Sequence, residues 1–319
     1  MNGPENAGQR RRRTVIFAAK LALSITLLVV LFRHLGSAAV LDAFSHTSWM
    51  VLVFAVFALT AQSAISTLKW LLLLRQQGIT SIRYLQLLRI YLKSDFINLF
   101  MPSIVVGDAY RATQLRKHTG SFHSALSSII VDRGSGLAAL MFLGAIGLLV
   151  RLLPQYLLPG IVGLVAFAAA GYLLLIGPLA RLIASVRPGA MFGVPGIITQ
   201  CIEALQPSRT LLFIAALSLV FQFNTVVINL VYCRGLGIQV SLMELMSIVP
   251  AVYLLEVLPI SVNGVGAREG AFALLFGQIG LTPAHGVALG LTISVTRYLA
   301  GLVGGALLAA EAIQNRSRA

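Results

Sequence analysis

Two stretches of the chain combine residue types that a lipid-facing helix does not favour. Each has a proline, a glycine five residues later and an arginine nine residues later, and of the 11 prolines only two fit this spacing. The two sets are Pro102, Gly107, Arg111 and Pro259, Gly264, Arg268. Irregular backbone is tolerated at membrane depth only where protein buries it or where it lines a wet cavity. Interrupted segments at corresponding places in two halves of a chain indicate a transporter binding site.

Ionisable and polar side chains accompany both stretches in apolar surroundings. Charges at membrane depth are costly, so such residues are candidates for a functional site. The candidate substrate-binding or transport residues are Asn98, Asp108, Arg111, Asp132, Arg133, Glu256, Asn263, Arg268, Glu269 and Arg297. The candidate hairpin residues are Pro102, Gly107, Pro259, Gly264 and Gly266. Asp95 and Glu244 lie in the same surroundings. For any one charge, a structural ion pair and a substrate contact are equal alternatives.

Arginine is the predominant cation among these candidates, and its planar guanidinium binds phosphate or carboxylate with two parallel hydrogen bonds. Helices that begin after Gly107 and Gly266 would add free N–H groups that favour an anion. The pattern predicts a site for an anionic headgroup such as a lipid phosphate. Arginine is also the preferred residue for buried ion pairs, so that alternative stays open.

Sequence spacing constrains how these charges can pair. Asp108 and Arg111 are three residues apart, so we expect them to meet on one helical face. Asp132 and Arg133 are adjacent and point about 100° apart on a helix, so each needs a partner elsewhere.

Composition places the chain in the membrane. Of 319 residues, 58% are hydrophobic and only 11% charged, and the mean hydropathy is +0.89; a soluble domain has about 25% charged residues. We predict an all-α polytopic membrane protein. The net charge of +14 reflects basic loops rather than nucleic-acid binding. Two cysteines, five histidines without zinc spacing and the lack of a phosphate-binding loop predict no metal, no cofactor and no catalytic residue.

The apolar runs predict about six full transmembrane helices and two re-entrant hairpins. The spans are expected at 14–32, 48–74, 121–150, 156–179, 210–233 and 284–313, and the hairpins at 94 to about 115 and at 241–280. An amphipathic helix over 75–93 would lie in the membrane interface or, equally, connect two spans with a solvated face. Lys69 and Trp70 are predicted as interfacial anchors at the end of the second span.

Charge distribution predicts the topology. This layout puts 16 of the 24 Lys and Arg residues on one side and three on the other, which favours both termini in the cytoplasm of a cell inner or plasma membrane protein. We predict a basic tail at 1–13, one transmembrane domain at 14–313 and a short tail at 314–319. The repeat halves, approximately 48–150 and 210–313, would then have opposite orientations, which makes an inverted repeat.

Four motifs resemble one known family. They are Asn98–Pro102, Gly107–Arg111, Asp132–Arg133 and Pro259–Glu269. In order and spacing they resemble the lysylphosphatidylglycerol synthase transmembrane-region family of flippase-like membrane proteins, whose motifs read N-L-x-x-P, G-E-x-x-R, E-R and P-x-x-x-x-G-x-G-x-R-E. The resemblance covers roughly residues 14–312. Asp108 and Asp132 stand where glutamate is commoner in the family, which keeps the charge and shortens its reach.

The resemblance implies the lipid-binding or lipid-translocating half of such proteins, without the soluble aminoacyl-transferase domain that some relatives carry. We therefore predict a membrane protein that binds and translocates an amphiphile with an anionic headgroup between leaflets. The family resemblance implies a phospholipid, an isoprenoid-linked lipid or a hopanoid-type lipid. The alternative is a non-transporting accessory subunit or an enzyme component of lipid or glycolipid biosynthesis, with lipid-biosynthesis enzymes as partners.

Overall fold

The computed structural model describes residues 48–101, 105–119, 121–176, 194–206, 209–258 and 261–316, together with a few helical positions between 15 and 33. Every regular element in these ranges is helical, so the predicted all-α polytopic membrane fold is confirmed. Most of the predicted first span and both predicted tails up to 13 and after 316 lie outside the described residues. Pro102 and Pro259 also lie outside them.

The described part contains ten α-helices. They are α1 (Trp49–Gln76), α2 (Tyr84–Phe100), α3 (Val105–Thr119), α4 (Phe122–Leu152), α5 (Leu157–Ile176), α6 (Val194–Ala204), α7 (Arg209–Gly235), α8 (Leu242–Val257), α9 (Ala267–Gln278) and α10 (Pro283–Arg316). A 3-10 turn at Pro154–Tyr156 joins α4 to α5. Crossing a bilayer takes about 20 apolar residues, and α1, α4, α7 and α10 are long and apolar enough to do so. Their ends agree with the predicted spans to within three residues.

Polar caps fix where three of the helices begin. The Ser48 hydroxyl accepts a hydrogen bond from Met50 N–H at the start of α1, and Ser121 accepts one from Ser124 N–H at the start of α4. Ser241 and Glu244 form a reciprocal capping box at the start of α8. Each cap satisfies N–H groups that have no partner within the helix. Glu244 is therefore engaged at a helix end rather than among the central charges.

The helix α2 differs from the prediction. A boundary was expected at Ser94, between an amphipathic helix and a membrane hairpin, but α2 runs unbroken from Tyr84 to Phe100. No proline or glycine interrupts it, so nothing in its local sequence stops the helix at the change in polarity. The break comes only after Phe100, before α3 begins.

The helices α1 and α7 pack against each other in opposite directions. Val51, near the start of α1, lies against Gly235 at the end of α7. Further along, the Gln62 amide donates to the Phe221 carbonyl (3.1 Å) and to the Thr225 hydroxyl. The broken pairs α2–α3 and α8–α9 follow the ends of α1 and α7, so they enter the molecule from opposite ends.

The packing of the first four helices repeats in the last four. The helix pairs α1–α2, α2–α3, α3–α4 and α1–α4 are in contact, and so are α7–α8, α8–α9, α9–α10 and α7–α10. Between the sets, α4 packs on α7 and α8 as α10 packs on α1 and α2. Exchanging the two sets therefore leaves the pattern of contacts unchanged.

Glycines allow the closest of these helix contacts. On α4, Gly144 lies against Pro250 and Gly147 lies against the backbone at Met246 of α8. On α10, Gly301 and Gly304 lie against α2. A side chain at these positions would collide with the neighbouring helix, as is usual where small residues bring membrane helices together.

Candidate functional site

The Arg111 guanidinium lies in the interior of the first half of the molecule. It is stacked between the rings of Trp70 (4.1 Å to the centroid) and Tyr91 (4.5 Å). Its Nη2 lies 3.2 Å from Asp132 Oδ2 and its Nη1 lies 3.4 Å from Asp108 Oδ1, which confirms the expected pairing at three-residue spacing. Only 1% of the side chain is exposed. Two aromatic faces and two carboxylates thus enclose Arg111 and hold α1, α2, α3 and α4 together.

Asp132 binds a second cation, Lys69. Lys69 Nζ lies 3.0 Å from Asp132 Oδ1 and donates to the Asp132 carbonyl at 3.2 Å. The prediction that Lys69 and Trp70 are interfacial anchors is wrong, because both are buried. They lie nearly two turns before the end of α1, where α4 packs over them. The sequence already indicated that Asp132 needs a partner on another helix, and this requirement could have pointed to Lys69.

Arg133 differs from Arg111 in its exposure. Its Nε and Nη2 donate to the two oxygens of Asp108 at 3.1 and 3.0 Å, a bidentate arrangement. Its Nη1 makes no hydrogen bond within the described part of the chain, and 45% of the side chain is exposed. An exposed guanidinium therefore lies in the apolar helix α4, with one edge fixed by Asp108.

The second half of the molecule places Arg268 in a comparable position. Its Nε donates to Glu256 Oε1, its Nη1 to the Ser294 hydroxyl (2.8 Å) and its Nη2 to the Asn263 carbonyl (2.7 Å). Each guanidinium nitrogen therefore has a partner, and the side chain is fully buried. For each charge the sequence left open an ion pair as the alternative to a substrate contact, and Arg268 makes such a pair with Glu256.

Glu256 joins Arg268 to Arg297, as Asp108 joins Arg111 to Arg133. Arg297 Nη1 donates to Glu256 Oε2 at 3.0 Å, and its guanidinium carbon lies 5.2 Å from the Tyr253 ring centroid. The Arg297 side chain is 21% exposed, although it lies near the middle of α10. In each half, one carboxylate thus binds two arginines, of which one is enclosed and the other is at least partly exposed.

The loop before α9 depends on left-handed backbone. Asn263, Gly264 and Gly266 have φ values of +50°, +79° and +84°. A Cβ on Gly264 would lie 2.8 Å from Arg268 Nη2 and 3.0 Å from Glu256 Oε1, so a larger residue there would have to displace this ion pair. Gly266 caps α9 and donates its N–H to Glu269 Oε2 (2.6 Å). As predicted, α9 begins directly after Gly266.

The first loop uses glycine differently. The prediction that a helix begins after Gly107 is wrong, because α3 begins at Val105 and includes Gly107. Gly107 N–H, at the third position of α3, donates to Asn98 Oδ1 at 2.9 Å. A Cβ on Gly107 would collide with the Asn98 amide. Asn98 therefore crosses from α2 to satisfy a free N–H of α3, as a capping residue does.

Asp95 and Glu269 lie near the central charges but make no ion pair within the described residues. Asp95 Oδ2 accepts from the Ser63 hydroxyl of α1 at 2.8 Å. Glu269 Oε1 accepts from the Ser294 hydroxyl of α10 at 3.1 Å. Sequence reasoning placed Asp95 at membrane depth but did not select it, or Ser63 and Ser294, for the site. A serine carries no charge that marks it in a sequence, so only the packing indicates these pairs.

The structure brings the predicted polar residues into two separate groups. The first contains Asp108, Arg111, Asp132 and Arg133, with Lys69 added, and the second contains Glu256, Asn263, Arg268, Glu269 and Arg297. Asn98 lies at the α2–α3 break, apart from the ion pairs. No three or more His, Cys, Asp and Glu residues are placed to hold a metal ion in the part of the chain that the structure describes.

Apolar spanning helices, two broken helix pairs and internal ion pairs define a multi-pass membrane protein. The model of the family described as "Lysylphosphatidylglycerol synthase TM region" matches residues 17–305, and the chain belongs to this family. The resemblance deduced from the motifs is confirmed. No significant match is found among curated proteins or among solved structures.

Proposed function

We propose that this protein binds an amphiphile with an anionic headgroup and translocates it between the leaflets of the membrane. The observation that carries the proposal is Arg133 in the apolar helix α4: its side chain is 45% exposed, and its Nη1 has no partner among the described residues. A cation exposed in such surroundings is costly unless it meets an anion or water. A phosphate that binds the free edge of Arg133 would offset this cost with charge-assisted hydrogen bonds.

Arg297 supplies the corresponding cation in the second half. It is partly exposed and held on one side by Glu256. Arg111 and Arg268 have a different role in this proposal, because they are enclosed and their hydrogen bonds are directed at protein groups. They position the carboxylates that in turn orient Arg133 and Arg297.

The repeated packing supports translocation rather than binding alone. Two sets of helices with the same contacts, whose broken pairs enter from opposite ends, are what an inverted repeat requires. In secondary transporters such repeats exchange conformations around a site at the bilayer midplane, which opens the site to each side in turn. The anionic group would pass from the arginine of one half to that of the other.

The test uses purified protein reconstituted into phosphatidylcholine liposomes that contain a fluorescent phosphatidylglycerol. Lipid in the outer leaflet is bleached with dithionite, and the rate at which the inner-leaflet lipid becomes accessible is measured. We expect faster exchange than in protein-free liposomes, and we expect Arg133→Gln and Arg297→Gln to slow it. Arg151→Gln is the matched control, since Arg151 is an exposed arginine at the end of α4 that makes no ion pair with the described residues.

Exchange no faster than in protein-free liposomes would contradict translocation. If phosphatidylglycerol nevertheless binds the purified protein, the alternative of a non-transporting accessory protein of lipid biosynthesis would be favoured. If Arg133→Gln and Arg151→Gln slow exchange equally, the exposed edge of Arg133 does not carry the site.

A further inference from the structure

We propose that Asp95 binds one proton each time an anionic headgroup binds at Arg133, so that anion and proton are taken up together. The inference rests on the proposed function, because it assumes an anion at Arg133. It adds a coupling ion and the residue that carries it.

Asp95 is the carboxylate of the first half that makes no ion pair with a described residue. It lies on α2, one turn after Tyr91, and the Ser63 hydroxyl is its hydrogen-bond donor. It is only partly buried, and Arg133 is the first of the cations that act on it through space. An ionised carboxylate in apolar surroundings normally gathers several donors or a cation, and Asp95 has one neutral donor among the described residues.

The charges that act on Asp95 lie on α3 and α4, and the helices that pack on α2 are α1, α3 and α10. Arg111 and Asp108 of α3 act on it through space, and so does Arg133 of α4. On α10, Glu311 pairs with Lys93 of α2, and Arg297 pairs with Glu256. The α1 residue that faces Asp95 is Ser63, which is neutral, whereas Lys69 of α1 is held by Asp132. Tyr91, on α2 itself, stacks on Arg111.

The net charge of the first group explains why binding an anion at Arg133 requires a proton. The group contains three cations, Lys69, Arg111 and Arg133, and three carboxylates, Asp95, Asp108 and Asp132. It is neutral when Asp95 is ionised. An anion at Arg133 leaves one uncompensated negative charge in surroundings of low dielectric constant, where such a charge is costly. Asp108 and Asp132 are each held by two cations, so Asp95 is the carboxylate free to take up the proton.

The Ser63 hydroxyl can serve both protonation states of Asp95. When Asp95 is ionised, Ser63 donates its single hydrogen to Oδ2 at 2.8 Å. When Asp95 is protonated, the carboxylic acid can donate to Ser63 Oγ, and Ser63 can turn its hydrogen to the Leu59 carbonyl, 3.3 Å away. A hydroxyl is both donor and acceptor, so neither state leaves a polar hydrogen unpaired.

Glu269, the carboxylate of the second group that makes no ion pair with a described residue, cannot exchange hydrogen bonds with a serine in this way. Its Oε2 accepts from Gly266 N–H and its Oε1 from the Ser294 hydroxyl, so each of its oxygens has a donor. Ser294 also accepts a hydrogen bond from Arg268. Glu269 is fully buried and caps α9. These contacts hold Glu269 in place as a structural residue, whereas Asp95 has only the Ser63 hydroxyl among the described residues.

The experiment is isothermal titration calorimetry of the detergent-purified protein with dioctanoyl phosphatidylglycerol. Repeating it in buffers that differ in ionisation enthalpy gives the number of protons taken up for each lipid bound. We expect about one proton at a pH where Asp95 is ionised, and an affinity that falls about tenfold for each unit rise in pH there. Asp95→Asn should bind the lipid without proton uptake and with an affinity independent of pH. Glu203→Gln, an exposed carboxylate on α6, should behave like the unaltered protein.

The other possible results of this titration separate a failure of the inference from a failure of the proposed function. Lipid binding without proton uptake, or unchanged uptake by Asp95→Asn, overturns the inference and leaves the proposed function standing. Preference for dioctanoyl phosphatidylethanolamine without uptake would make Asp95 a partner of the lipid ammonium group, which also overturns it. No lipid binding in any buffer refutes the proposed function and the inference together.

A second variant keeps the test decisive if Asp95→Asn does not fold. Ser63→Ala removes the donor that favours the ionised carboxylate, so proton uptake and the fall in affinity should begin at a higher pH. An unchanged pH dependence in Ser63→Ala would also overturn the inference.

Discussion

At the scale of single residues, the arginines of the two halves divide by exposure. Arg111 and Arg268 are enclosed by protein, whereas Arg133 and Arg297 expose part of their side chains. A charge of the first kind is compensated by fixed partners, and its loss should appear in stability. A charge of the second kind is only partly compensated, and its loss should appear in ligand binding. The two kinds can therefore be separated by experiment.

Replacing the exposed arginine of α4 should weaken anion binding. Arg133→Gln removes a charge-assisted hydrogen bond to the headgroup, which is worth about 1.5–3 kcal/mol, so we expect affinity for dioctanoyl phosphatidylglycerol to fall about 10- to 150-fold. Calorimetric titration at constant pH measures it. The melting temperature in detergent should change little. Equal affinity of Arg133→Gln and Arg151→Gln would exclude Arg133 as a ligand contact.

Replacing the enclosed arginine of α9 should destabilise the protein. Arg268→Met leaves Glu256 with one cation and leaves the Asn263 carbonyl without its donor, and breaking a buried ion pair costs about 3–5 kcal/mol. Denaturant unfolding in mixed micelles measures the free energy of unfolding. Arg116→Met, at an exposed position of α3, should change it by about 0.5 kcal/mol or less. A normal free energy of unfolding in Arg268→Met would show that Arg268 is not a structural residue.

At the scale of elements, the loop before α9 can be tested with two glycines of similar conformation. Gly264 and Gly78 have φ values of +79° and +77°, but a Cβ on Gly78 would meet no atom within 4 Å. Gly78→Ala should therefore cost only the backbone strain, about 1 kcal/mol. Gly264→Ala should cost about 1–3 kcal/mol more, because its Cβ displaces the Arg268–Glu256 pair. Equal losses in unfolding free energy would mean that the pair adjusts freely.

Helix ends were predictable to the extent that local sequence fixes them. Ser48, Ser121 and Ser241 cap their helices through their own side chains, so α1, α4 and α8 begin where the sequence indicates. The start of α3 was not predictable, because it depends on Asn98 reaching Gly107 from another helix. The pairing of Lys69 with Asp132 depends likewise on how α1 packs on α4, which no spacing within one helix encodes.

At the scale of the whole molecule, the charge distribution and the packing together predict the orientation. On a background without Cys201 and Cys233, single cysteines replace Ser81, before α2, and Gln155, after α4, both of which are exposed. An impermeant thiol reagent added to intact cells should label position 155 and not position 81, because the basic side belongs in the cytoplasm.

A third position completes this test. Ser241, before α8, is also exposed, and the opposite entry of the two broken helix pairs predicts that a cysteine there is labelled from outside. Permeabilised cells serve as the control in which all three positions react. Labelling of positions 81 and 241 from the same side would contradict the inverted repeat.

The antiparallel contact of α1 with α7 has a mechanical consequence for the proposed translocation. When the two halves are exchanged, the α1–α7 contact takes its own place. If one half rocks against the other, the pivot would therefore lie at this contact. A pivot stays still while the flanks slide, and the flanks here are α2 on α10 and α4 on α8. A covalent tether between positions 62 and 225, which joins α1 to α7, should then leave lipid exchange unchanged. A tether between positions 92 and 304, which joins α2 to α10, should stop it.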